Sequence, residues 1–211
     1  MAEDSLPIQF VAPAQRNEAV TLAMWLLLAT EALMFGALFL SYLIYRLLFP
    51  QTFAAASAQL DSMLAALNTG VLLTSSLTIA LAIQAVALRR RALALWLLAA
   101  TVALGCSFLI LKGYAWYTEY QHHLVPLRGF QTDYSALGSG AQMFFNLYFV
   151  MTGMHALHLS IGIAVVLVMM AYVAWSDRTA MVTRRVGLAG LYWHFVDIIW
   201  VFLFPLFYLV V

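Results

Sequence analysis

Apolar residues run almost unbroken through five stretches of the chain, at about 20–48, 63–88, 92–116, 141–175 and 187–211. At about 1.5 Å of helical rise per residue, each is long enough to cross a hydrocarbon core about 30 Å thick. Polar and turn-forming residues gather between them. The pattern predicts an all-α, polytopic membrane bundle of five transmembrane helices, in which residues 19–211 form a single domain and residues 1–18 precede it. Glu3 and Asp4 stand where a signal peptide carries positive charge, and the first apolar run is about twice as long as a signal peptide's core. The first span is therefore expected to stay in the mature chain.

Composition agrees with this class. Hydrophobic residues make up 65% of the 211 positions and charged residues 9%, against roughly 25% charged in an average soluble domain. A net charge of +1 offers no basic surface for nucleic acid. The lone Cys106 excludes an intrachain disulfide, and no CxxCH or cysteine cluster is present for haem, zinc or iron–sulfur. Cys106 is expected to be a small buried apolar residue.

The basic residues matter through their placement. Arg16, Arg89, Arg90, Arg91, Arg178, Arg184 and Arg185 fall on one side of the predicted bundle, and Arg46, Lys112 and Arg128 on the other. The positive-inside rule then puts the N-terminus in the cytoplasm and the C-terminus outside. Short basic connections make the second and third spans, and the fourth and fifth, antiparallel neighbours. The longer stretch "YQHHLVPLRGFQTDYSALGSG", with Pro126 and several glycines, is expected to form an ordered outer cap or partner contact. No internal repeat and no matching pair of Gly/Pro-broken helices marks a transporter. Small residues four apart, Ala32 with Gly36 and Thr152 with Ala156, permit close helix contact.

Few ionisable groups lie deep in the spans: Glu31, His155, His158, His194 and Asp197, with Lys112 nearer the outer end. A charge at mid-bilayer costs about 2.5–3.5 kcal/mol on insertion scales, so each group needs compensation. Counted along their helices, Glu31 and Asp197 reach similar depths, and a polar layer near the bilayer centre is expected. His155 with His158, and His194 with Asp197, are spaced i,i+3, so each pair occupies one helix face. A di-iron bundle would need more carboxylates than Glu31 and Asp197 supply. A two-haem cytochrome would need more histidines. Four readings remain for these residues: a hydrogen-bonded lock between helices, a proton relay, contact with lipid headgroups, or a bound metal or haem. Glu31, the only charge between Ala19 and Tyr45, is expected as a neutral acid unless a basic partner lies near, and it needs a hydrogen-bond acceptor in that form. Lys112 is expected to snorkel, with Trp116 one turn on as a cation–π partner. His122 and His123 are expected to be solvated. Trp25, Trp96, Trp116 and Trp175 read as interface markers, and Trp193 and Trp200, one heptad apart, as a contact face.

Several motifs together resemble subunit III of the haem–copper respiratory oxidases. They are "TEALMF", "ALNTGVLLTSS", "FFNLYFVMTGMHALHLSIG" and "YWHFVDIIWVFLFPLFYL", in the family's order from Trp25 onward. The resemblance is to its five-helix bacterial form, which corresponds to the last five helices of seven-helix members. It implies an accessory subunit, not an enzyme on its own and without a cofactor, of a proton-pumping oxidase that takes electrons from cytochrome c or quinol. Subunit I would be its main partner, with subunit II and membrane lipids also in contact, and haem and copper would sit in the partner subunits. It further implies a multi-pass protein of the bacterial inner membrane that stabilises subunit I and supports proton uptake. Glu31 matches the family's buried glutamate, and His155, His158, His194 and Asp197 its polar residues in the last two helices. The family's lipid-contacting basic residue falls at Tyr172, which leaves Arg178 as the headgroup candidate. Other readings stay open: a similar subunit of a nitric oxide reductase, a proton-coupled transporter centred on Glu31, and a redox or metal enzyme using the histidines.

Overall fold

The computed structural model describes residues 13–125, 139–176 and 179–209. Six helices lie among them: α1 (Pro13–Leu48), α2 (Pro50–Ser57), α3 (Ser62–Ala87), α4 (Arg91–Gln121), α5 (Ser139–Trp175) and α6 (Thr179–Tyr208). All but α2 are long and apolar enough to cross a membrane, which gives the five spans that the hydrophobic pattern predicts. Their ends differ from that pattern where polar residues continue a helix. α1 already begins at Pro13, a residue tolerated in a first turn, and α4 runs on through Tyr117, Glu119 and Gln121. α6 begins at Thr179, eight residues before the predicted start.

The short α2 is not expected from hydrophobic periodicity. Pro50 ends the run of α1 and opens α2, where its missing N–H costs nothing. The helix lies across the end of the bundle with Phe53 and Ala56 fully buried. Ser57 donates to the Phe207 carbonyl at 2.6 Å, and Tyr42 donates to the carbonyl of Leu206. These bonds set the ends of α1, α2 and α6 together at what is here called the second face. At the first face Arg91 donates to the Val173 and Ala174 carbonyls, and Arg184 to the Thr21 hydroxyl at 3.0 Å. Successive spans are therefore antiparallel.

Two helix ends share one stop signal. Beyond α3, Arg89 adopts φ 58°, its N–H bonding Val86 and the next N–H bonding Ala85. Beyond α4, His123 adopts φ 55° with the equivalent bonds to Tyr120 and Glu119. This is the Schellman arrangement, usually completed by glycine. Arginine and histidine hold it here at a cost of about 1–2 kcal/mol of left-handed strain each.

The helix α6 is the axis of the bundle. In its most apolar 18-residue stretch 56% of residues are buried, against 11% for α1. Trp193 and Trp200 point inward and are almost fully buried. Each donates its indole N–H to a hydroxyl of α3: Trp193 to Ser75 at 3.1 Å and Trp200 to Thr69 at 3.0 Å. Thr78 and Thr101 join α3 to α4 at 2.8 Å. Near the second face Tyr42, Phe53, Phe144, Tyr148 and Phe207 pack edge to face, with ring centroids 5.0–6.4 Å apart.

Two expectations about packing are corrected. Cys106 is exposed on the outer surface rather than buried, because the adjacent Gly105, not the cysteine, occupies the contact with Trp193. Ala32 and Gly36 also face outward, and a Cβ added at Gly36 would meet nothing within 4 Å. Their spacing permits a contact that this chain does not itself make, whereas Thr152 is buried.

The Trp193 ring is held between two glycines. A Cβ at Gly105 would lie 2.9 Å from its Cη2, and one at Gly162 would lie 3.2 Å from its Cε3. Gly105→Ala is expected to lower stability by about 1–3 kcal/mol, since a clamped indole cannot retreat. Gly190→Ala places its Cβ 2.6 Å from Ile83 Cδ1, the end of a flexible side chain, and is expected to cost less. Thermal unfolding midpoints of the two variants check this order; equal losses contradict the glycine seat.

Candidate functional site

Buried polar side chains form two groups. The central one begins with Glu31, which α1 brings to the edge of the bundle, its side chain 23% exposed. Glu31 Oε2 lies 3.0 Å from His158 Nε2 on α5, and His158 Nδ1 donates to the Met154 carbonyl at 2.7 Å. Tyr192 of α6 donates to the backbone carbonyl of His158, and Phe35 packs edge-on against its ring. Since Nδ1 carries a proton for Met154, one further proton suffices for the contact with Glu31. It resides on either partner, giving imidazolium with carboxylate or imidazole with neutral acid. The pair therefore ties α1 to α5 through one hydrogen bond.

His155, one turn away, does not join that contact. Its Nε2–H donates to the Val196 carbonyl at 3.2 Å, and its ring lies against Phe108 and Trp200. His194 and Asp197 share the opposite face of α6. His194 Nδ1 meets the Ser76 hydroxyl at 2.7 Å. Asp197 is buried beside the same serine, and neither carboxyl oxygen makes a well-formed hydrogen bond among the described residues. The five central residues are thus brought to three separate places around α6. Among the described residues no three His, Cys, Asp or Glu side chains converge as a metal site. Arg178 lies outside the described residues, as does 126–138 of the expected outer cap. A basic group nevertheless reaches Tyr172: Arg185 of α6 stands 4.4 Å over its ring.

The second group lies nearer the second face. Lys112 does not snorkel, because α5 and α6 close over it and offer phenols as partners. It is 3% exposed and donates to Tyr148 at 2.6 Å and to Tyr208 at 2.8 Å. Tyr148 passes its own proton to Glu119 Oε1 at 2.6 Å. The ammonium also stands 4.4 Å from the Tyr148 ring centre, closer than the 5.8 Å to the expected Trp116. A lysine and a glutamate are thus joined through a tyrosine inside the bundle. Sequence carries a signal for this group, since Lys112 and Glu119 are two turns apart on one face of α4. Tyr148 likewise shares a face of α5 with His155. What pairs those faces is tertiary and not legible in spacing. His122 and His123 are exposed just beyond α4, as expected.

An open apolar groove of about 430 Å³ separates α1 from α6, lined by Trp25, Leu28, Ala32, Phe195 and Ile198, with His194 at its side.

Comparisons with known proteins agree with this architecture. The family described as cytochrome c oxidase subunit III matches residues 12–210. Cytochrome c oxidase subunit 3 of Thermostichus vulcanus is 32% identical over 198 residues, covering 89% of this chain and 86% of that one. Cytochrome bo(3) ubiquinol oxidase subunit 3 of Pseudomonas aeruginosa is 31% identical over 187 residues, covering 88% and 82%. A haem–copper oxidase subunit I+III of Aeropyrum pernix is 28% identical over 200 residues, which are 92% of this chain and 23% of that longer one.

Removing one charge of the second group strands the other in a buried site. Lys112→Met is expected to destabilise the chain by about 3–5 kcal/mol. Adding Glu119→Gln to it is expected to restore most of the loss. Thermal unfolding of the single and double variants decides; a double variant no more stable than Lys112→Met would show that the two charges do not compensate each other.

Proposed function

The chain belongs to the cytochrome c oxidase subunit III family and is a multi-pass membrane subunit of a haem–copper oxidase; from that premise we propose that it is a cofactor-free accessory subunit of a proton-pumping terminal oxidase. In this reading it packs on subunit I, also contacts subunit II, stabilises the catalytic subunit and supports its proton uptake. Haem and copper are carried by the partner subunits. The host membrane is the bacterial inner membrane, with the N-terminus in the cytoplasm.

The observation that carries the reading is the Glu31–His158 pair. It turns the costliest carboxyl of the most loosely packed span into a bond between helices, and His158 spends both ring nitrogens on protein partners. Such a histidine serves as scaffold and proton holder rather than as a ligand. Contact with subunit I is supported by the Aeropyrum pernix relative, whose name joins subunits I and III in one chain. The outward faces of α1, where Leu33, Leu40 and Leu47 are exposed, offer an apolar surface for a partner or lipid. Structural phospholipid is part of the proposal: an acyl chain fits the chemistry of the groove between α1 and α6. Arg185 is then a headgroup candidate within the described residues, beside Arg178, which lies outside them.

Deleting the chain is expected to leave initial electron transfer through the oxidase intact while activity decays over successive turnovers. Stopped-flow reduction and sustained oxygen consumption of the enzyme prepared with and without the chain measure the two effects. Full, lasting activity without it counts against the accessory role.

A further inference from the structure

At the second face a pocket of about 250 Å³ opens between α3, α4 and α6 and ends on the buried Lys112 group. Asp61 and His122, the capping residues of α3 and α4, stand at its mouth. Asn68, Lys112 and Glu119 line it, each more than nine-tenths buried.

The hydrogen-bond inventory of these three residues is incomplete among the described residues. Asn68 donates through Nδ2 to the Phe108 carbonyl at 3.3 Å, but its Oδ1 has no partner. Glu119 receives the Tyr148 proton on Oε1, and Oε2 has none. The Lys112 ammonium has three N–H groups and gives two of them, to Tyr148 and Tyr208. Two acceptors and one donor are therefore left over on three residues that line one polar cavity. A buried polar group without a partner costs about 1–3 kcal/mol, and more if charged. An apolar occupant would leave all three costs standing.

We propose that this pocket is a binding site for an ordered cluster of water molecules, entered from the second face, that completes the coordination of Asn68, Lys112 and Glu119. Water gives and accepts at each position without adding net charge beside the ammonium, and it is small enough to serve all three residues at once. A single water occupies about 30 Å³ of liquid volume, so the pocket holds several, enough to reach from the capped helix ends to Lys112. Hydration from one side lets the lysine and the glutamate both remain charged within the bundle. It also gives protons from that face a path to Glu119 Oε2, ending there, separate from the Glu31–His158 pair.

The two tryptophans of α6 provide the test. Trp200 lines the pocket and Trp193 does not, yet they are 1% and 0% exposed and each donates to an α3 hydroxyl. Hydroxyl radicals generated by a brief X-ray pulse oxidise side chains next to bound water. In the complete purified oxidase, peptide mass spectrometry is expected to show Trp200 oxidised at least tenfold faster than Trp193, with ¹⁸O incorporated when the solvent is H₂¹⁸O. Equal, slow oxidation of both would mean a dry pocket and overturn the proposal. Ala115→Phe, at the pocket wall, is expected to slow Trp200 oxidation and leave Trp193 unchanged. An unaltered Trp200 rate in that variant would mean that water reaches the ring by another route, and would also overturn the assignment; if the variant fails to assemble, the wild-type comparison still decides.

Discussion

Two indole N–H groups reaching from α6 to the hydroxyls of Ser75 and Thr69 organise the bundle. In lipid, apolar side chains gain little by leaving hydrocarbon for protein, so helices associate through close packing and polar contacts. Trp193 supplies both at once. Its ring is clasped by Gly105 of α4 and Gly162 of α5 while its N–H fixes α3. One side chain thereby registers four spans against one another. Trp200, two turns on, repeats the bond to α3 and adds a T-shaped contact with Phe108 at 4.7 Å.

That arrangement explains what was legible in the chain and what was not. Spans can be read because hydrocarbon imposes a length and a polarity on each, and every long helix follows. Trp193 and Trp200 can be read as a contact face because they are seven residues apart. α2 escapes because eight residues are too few for a periodic signal, and its helicity rests on Pro50 and on burial of Phe53. Cys106 is misread for a different reason: an apolar run gives a residue's environment but not its azimuth, and lipid and core are equally apolar. Lys112 shows the same limit in reverse. Its distance from the helix end suggests snorkelling, but the phenols that hold it come from helices 36 and 96 positions away in sequence.

The polar residues follow one rule with three solutions. Glu31 and His158 bond each other between α1 and α5. Lys112 and Glu119 keep opposite charges apart by a tyrosine that accepts from one and donates to the other. His194 takes a serine hydroxyl, and Asp197, buried beside that serine, makes no well-formed hydrogen bond among the described residues.

The distribution of these ties also decides how rigid each helix is. α3, α4 and α6 are joined by tryptophan, glycine and hydroxyl contacts along much of their length. α1 is joined mainly at three levels: Arg184 to Thr21 at the first face, Glu31 to His158 in the middle, and Tyr42 to Leu206 at the second face. Between them its leucines face outward and an apolar groove separates it from α6. The middle tie joins two side chains that can each carry a proton, whereas the outer two end on a hydroxyl or a backbone carbonyl. A carboxyl that is expensive to place in lipid is in this fold the element that anchors the helix carrying it.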